Sequence, residues 1–91
     1  MDKKNILDRL MLGADLPGEA LPNLPLVEIM GEYRVLIENH KGVAGYATTE
    51  ICVKVKFGFV KITGNGLALA RMSDHQLVIT GHIDGVNLCR R

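Results

Sequence analysis

Val60-Lys61-Ile62-Thr63-Gly64, followed by Gly66-Leu67-Ala68-Leu69, is echoed by Leu77-Val78-Ile79-Thr80-Gly81, followed by Gly85-Val86-Asn87-Leu88. The offset is 17 residues in the first half (Val60 to Leu77) and 19 in the second (Gly66 to Gly85), because His82-Ile83-Asp84 stands where the first copy has only Asn65. Each copy reads as a short strand, a glycine turn or bulge, and a second short strand, since β-branched runs bounded by glycine carry that signature. Two copies are too few for a solenoid; they predict a compact roll or sandwich of similar β-arches. Ala70 to Gln76 links them, with Met72 as a core plug and Ser73-Asp74 as a turn.

Upstream, the strand signature continues. Glu50 to Lys56 and Phe59 to Thr63 flank Phe57-Gly58, and a loop of those two residues sets Val55 opposite Val60 and Val53 opposite Ile62. Lys54 then faces Lys61 on the wet side, a like-charged pair that is mildly unfavourable. Val43 to Thr49 is weakly patterned, and Asn39-His40-Lys41-Gly42 is a turn by its chemistry, because Asn and Gly accept positive φ. Leu26 to Met30 and Tyr33 to Glu38 flank Gly31-Glu32, which matches a type II′ hairpin. In that register Glu28 faces Val35, while Val27/Leu36 and Ile29/Arg34 share the other side, so both faces are largely apolar. Such a hairpin must sit inside something, either between the sheet and an N-terminal helix or between protomers of a homo-oligomer.

That helix is read from Asp2 to Leu12, where Ile6, Leu7, Leu10 and Met11 gather into one stripe between Lys3, Lys4, Asp8 and Arg9. Asp2 supplies an N-cap and Gly13 a stop. The stripe has three candidate covers: the rest of the domain, a partner, or a membrane surface touched peripherally. Between Asp15 and Pro25 all three prolines fall within nine residues, and Leu16, Leu21 and Leu24 mark the segment as an ordered strap laid on the core. The expected organisation is an N-terminal amphipathic helix over residues 1–13 and a single β-domain over 14–91. The expected fold is mainly β, a single small antiparallel roll or sandwich of about six to eight short strands, preceded by the helix and the Pro-rich strap.

Composition narrows function by exclusion. Ninety-one residues with 47% hydrophobic content make one domain, and 11 Lys+Arg against 10 Asp+Glu leave a net charge of +1. Phosphate-backbone binding normally needs a strongly basic surface, and 4% aromatic residues with no Trp remove most stacking surface. No nucleic-acid partner is expected. No run reaches the roughly 18–20 apolar residues that span a bilayer. Cys52 and Cys89 lack CxxC spacing, so two free thiols in a reducing cytosol are the default.

Reactive constellations are weak. Cys52 lies on the Lys54/Lys56 side of its strand, where cations favour a thiolate, but no base is positioned beside it. His40, His75 and His82 lack the paired spacing of a zinc site and read as solvated turn histidines. Gly64-Asn65-Gly66 precedes strand rather than helix, which argues against a phosphate loop. No catalytic residue, metal ligand or cofactor is assigned. Lys54, Lys56 and Lys61 form a basic stripe, read first as a guard against edge pairing and second as an anionic binding face. A small cytosolic ligand-binding module or hydrolase using Cys52 or a turn histidine is the competing function.

Taken together, Leu16-Pro17, Leu24-Pro25, Gly31 before a strand, Ile37-Glu38-Asn39-His40-Lys41-Gly42, the Gly58-x-Val60-x-Ile62-x-Gly64-x-x-Leu67 spacing and Leu77-x-Ile79-x-Gly81-x-Ile83 resemble the YabP/YqfC family of sporulation proteins, its YqfC branch above all. The resemblance extends from about Asp15 to Leu88. It implies a non-enzymatic protein made in the mother-cell cytoplasm of an endospore-forming bacterium, an interaction or assembly factor in spore-envelope formation. It also implies a membrane-protein partner of the YqfD type. Asn39 and Gly42 then serve backbone geometry and His40 caps strand ends, with recognition by His40-Lys41 as the second reading. The interaction surface expected on these grounds comprises Val27, Ile29, Leu36, His40, Lys41, Lys54, Lys56 and Lys61.

Overall fold

The computed structural model describes residues 24–90, and over that range the chain is all strand and turn. Six strands follow in order: β1 (Leu26–Met30), β2 (Arg34–Glu38), β3 (Val43–Tyr46), β4 (Glu50–Val55), β5 (Gly58–Met72) and β6 (Gln76–Arg90). They form one antiparallel sheet in the order β1-β2-β6-β5-β4-β3. The mainly β expectation holds, with six strands, but two of them are 15 residues long rather than short. The helix over 1–13 and most of the strap lie outside the described residues.

The long strands explain the echo. Its two copies are not successive arches; they pair with each other as the arms of one hairpin. An antiparallel hairpin has its own local two-fold axis, and a shift of 17 residues is that axis written in sequence. Ile62↔Val86 and Thr63↔Gly85 in one half of the hairpin correspond to Ile79↔Leu69 and Thr80↔Ala68 in the other. The symmetry extends outward. Ile51↔Ile62 and Val53↔Val60 between β4 and β5 correspond to Val35↔Ile79 and Ile37↔Leu77 between β2 and β6. Each half is thus a flanking two-stranded unit laid against half of the long hairpin.

The sheet is not flat. With neighbouring strands about 4.8 Å apart, β2 and β3 in a flat sheet would stand four spacings from each other, about 19 Å, farther than the roughly 17–18 Å that the five steps from Glu38 to Val43 reach at full extension. Instead Lys41 N–H donates to Lys54 O (2.7 Å) and Lys54 N–H to Gly42 O (2.8 Å), so the short crossover already lies against β4. The sheet folds over, and the inward residues of both halves meet in one cluster. Val35, Ile37, Ile51, Val53, Val55, Val60, Ile62, Leu67, Leu77 and Ile79 are all buried there. Every one is aliphatic, and all except Leu67 and Leu77 are β-branched, the type that fills a pleated interior with little rotamer loss.

Bending needs glycine at the crossing. A Cβ on Gly64 would lie 1.9 Å from the His82 carbonyl oxygen, and one on Gly81 would lie 2.6 Å from that of Gly66. These glycines lie within strands rather than in turns and let two backbones touch where the ladder changes register, between Thr63 and Gly64 and between Asn65 and Ala68.

Several sequence expectations shift. The β1–β2 loop has three residues, Gly31-Glu32-Tyr33, rather than two, and pairs Val27 with Ile37 and Ile29 with Val35. Directly opposed residues share a face, so this register keeps Glu28 out of the core, whereas the two-residue loop would bury it beside Val35. Between β4 and β5 the loop is Lys56-Phe57, which leaves the faces unchanged but sets Lys54 opposite Phe59 and Lys61 opposite Cys52. The opposed lysine pair does not form. Val43–Tyr46 is an edge strand that weak patterning concealed. Met72 is 52% exposed at the tip of β5 and plugs nothing.

Candidate functional site

His40 is the one buried polar or charged residue among those described, 8% exposed, which corrects its reading as a solvated turn histidine. Its Nδ1 accepts from the Gly42 N–H (3.0 Å) and its Nε2 stands 2.8 Å from the Ser73 carbonyl. A carbonyl only accepts and an N–H only donates, so the proton belongs on Nε2. Asn39 adopts φ 62° and Gly42 φ 110°, positive values that the short polar side chain of asparagine tolerates and that glycine, without a Cβ, adopts freely. The Asn39 N–H donates to His75 O (2.7 Å) and its Nδ2 to Leu24 O (2.8 Å). Residues 39–42 are therefore a clasp, tying the β5–β6 loop, the start of β1 and β4 to one crossover.

The clasp supports a test between its two readings. His40→Ala strands a backbone donor and a backbone acceptor, each costing about 1–3 kcal/mol when left unpaired. Loss of roughly 2 kcal/mol or more in urea unfolding is expected, against less than about 0.5 kcal/mol for the exposed Lys41→Ala. Equal, small effects for both would favour the recognition reading.

The remaining candidates are dispersed. Cys52 and Cys89 are free thiols on the outer face of the β4 half, Cys52 opposite Lys61 and Cys89 opposite Phe59. Lys61 Nζ reaches Glu50 Oε2 at 3.9 Å, a half-exposed pair. Lys54 lies on β4, which β3 covers, and Lys61 on the central β5, so these lysines line a face rather than guard an edge. Lys56 sits in the β4–β5 loop and His75 in the β5–β6 loop. His82 is flanked by Glu32 Oε1 and Asp84 Oδ1, each at 3.6 Å, with the Tyr33 ring edge-on at 6.2 Å. Asp84 is two residues from His82 in the sequence; Glu32 and Tyr33 arrive because their loop bonds to β6 through Ile83 N–H to Glu32 O (2.7 Å). Among the described residues no three His, Cys, Asp or Glu side chains are grouped so as to hold a metal ion, and no helix is long and apolar enough to cross a membrane.

The apolar candidates do converge, though on two faces. Val27 and Ile29 point to the core side and Leu36 to the outer side. β1 is the sheet edge and overhangs the core, leaving Ile29 54% exposed on one face and Leu26 51% and Met30 43% exposed on the other. Among the described residues its outward backbone edge pairs with no further strand.

A profile of the YabP family matches residues 25–90. The chain belongs to the YabP family. A curated relative, "Uncharacterized protein YqfC" from Bacillus subtilis (strain 168), is 25% identical over 72 residues, covering 79% of this chain and 77% of that protein. No solved structure matches. For a YabP-family chain the fold thus gives the shared motifs a physical meaning. Ile37 to Gly42 forms the clasp, and the Ile-x-Gly pieces put a buried isoleucine two residues before each crossing glycine, Ile62 before Gly64 and Ile79 before Gly81. The YabP-family match begins at Pro25, one residue before β1, so residues 1–24 fall outside it. Family membership points to a sporulation-related protein.

Proposed function

We propose that this YabP-family protein is a non-enzymatic interaction or assembly factor of spore-envelope formation, working in the mother-cell cytoplasm against a YqfD-type membrane sporulation protein. The observation that carries the reading is β1. A five-residue edge strand, Leu-Val-Glu-Ile-Met, exposes apolar side chains on both faces and has neither lysine nor proline to discourage pairing. A partner strand added there would gain backbone hydrogen bonds and seat its side chains beside Ile29 on the core side. The family relationship supports the sporulation setting.

Deleting the gene in its native spore-former should impair sporulation after engulfment begins. Ile29→Asp should reproduce the defect while changing stability by less than about 1 kcal/mol, because the side chain is already half exposed. It should also abolish co-purification with the membrane partner. Normal yields of heat-resistant spores from a folded Ile29→Asp protein would sink the β1 assignment.

A further inference from the structure

β1 carries one charged residue, and it stands at the middle of the strand. Glu28 has Leu26 and Val27 before it and Ile29 and Met30 after it. It lies opposite Leu36 on the outer side, whereas Val27 and Ile29 lie opposite the buried Ile37 and Val35. Among the described residues Glu28 has neither an ion pair nor a side-chain hydrogen bond, and Arg34, placed diagonally from it on β2, does not pair with it. On an open edge such a carboxylate is well hydrated. A strand added to that edge sets a side chain about 4.5–5.5 Å from it and takes part of the water away, so the identity of that side chain matters.

Glu28 therefore discriminates between incoming strands. Whichever way a second copy of β1 is laid alongside, pairing all five residues sets Glu28 directly opposite Glu28 of that copy, and like charges directly opposed are destabilising. Slipping by two residues keeps the core side in place but leaves only three of the five paired, Leu26–Glu28 or Glu28–Met30. β3, the strand at the other end of the sheet order, reads Val43-Ala44-Gly45-Tyr46 and has no charge to offer. We infer that β1 receives a strand of a different protein that carries a single lysine or arginine opposite Glu28, with an apolar residue on each side of it beside Val27 and Ile29. The basic residue answers the carboxylate, and the apolar pair extends cover over Ile29, which is 54% exposed. The inference rests on the reading of β1 as a docking edge and adds to it which strands are accepted and why a second copy is refused.

The test uses the full chain labelled with nitrogen-15 and two blocked heptapeptides, Thr-Thr-Val-Lys-Val-Thr-Thr and its twin with Glu at the centre. Both sequences are palindromic, so the central residue meets Glu28 in a parallel or an antiparallel pairing. Binding is followed through the amide chemical shifts of Val27, Glu28 and Ile29. The Lys peptide should bind roughly fivefold more tightly than the Glu peptide at low salt, the difference between one favourable and one unfavourable cross-strand pair, and the gap should narrow as salt screens it. Glu28→Gln should close the gap, and Glu28→Lys should invert it. Equal affinities of the two peptides at β1 would leave the docking edge standing and overturn the charge selection. Shifts at β1 from neither peptide would overturn both. Concentration-dependent shifts of the same amides in the protein alone would assign the edge to a second copy and overturn the proposal as well.

Discussion

Gly64→Ala is expected to unfold the domain or leave it barely stable at 25 °C. The new methyl carbon would stand 1.9 Å from the His82 carbonyl oxygen, and that oxygen belongs to backbone paired in the ladder, so it cannot move aside without opening β5 from β6. Overpacking against side chains costs about 1–3 kcal/mol; against fixed backbone the loss should exceed about 4 kcal/mol, a large share of the roughly 5–15 kcal/mol a domain has. Gly81→Ala should be comparably severe, since its Cβ would meet Gly66 O at 2.6 Å and its φ is +135°. Gly31→Ala is the control: its φ is +58° but nothing lies within 4 Å, so only the backbone preference of about 1–2 kcal/mol is lost. Thermal melts followed by circular dichroism rank the three, and a Gly64→Ala protein melting with the wild type would refute the crossing geometry.

Ile62→Ala and Ile79→Ala should each cost about 2–5 kcal/mol, and by nearly the same amount. Both are fully buried, and each removes three carbons from a close-packed interior that relaxes only in part. Their near equality follows from the two-fold axis, which gives Ile62 the neighbour Ile51 and Ile79 the neighbour Val35 at equivalent positions. Chemical denaturation with a shared m-value measures both. A difference above about 1.5 kcal/mol would show that one half of the sheet carries most of the core.

These expectations indicate how far patterning could be read without coordinates. Strand positions from Leu26 to Met30 and from Glu50 to Val55 were legible because alternation and β-branching act locally, and the core face of β4 and β5 survived an error in the loop because side-chain direction repeats every two residues. The β1–β2 hairpin did not survive its error, since a loop longer by one residue exchanges faces. The signal that resolves it is present: only the three-residue loop puts Val27, Ile29, Val35 and Ile37 on one side and removes Glu28 from among them. Val43–Tyr46 gave little signal because an edge strand with alanine and glycine needs only backbone pairing with β4 to form. His40 looked like any turn histidine, and its burial depends on Ser73, 33 residues away.

By itself the sequence determined that this is a small, mainly β chain, which face of β4 and β5 fills its core, that Asn39 and Gly42 belong to a turn that accepts positive φ, and that its motifs resemble those of the YabP/YqfC family. Those properties are carried by local periodicity and residue chemistry. Only the tertiary structure decided that the echoed segments are two arms of one bent hairpin and that the sheet folds over a shared interior. The reason is that pairing between distant strands is chosen by the whole set of faces that must be buried together, and a repeat read along the chain is the same whether its copies stack in tandem or turn back to meet.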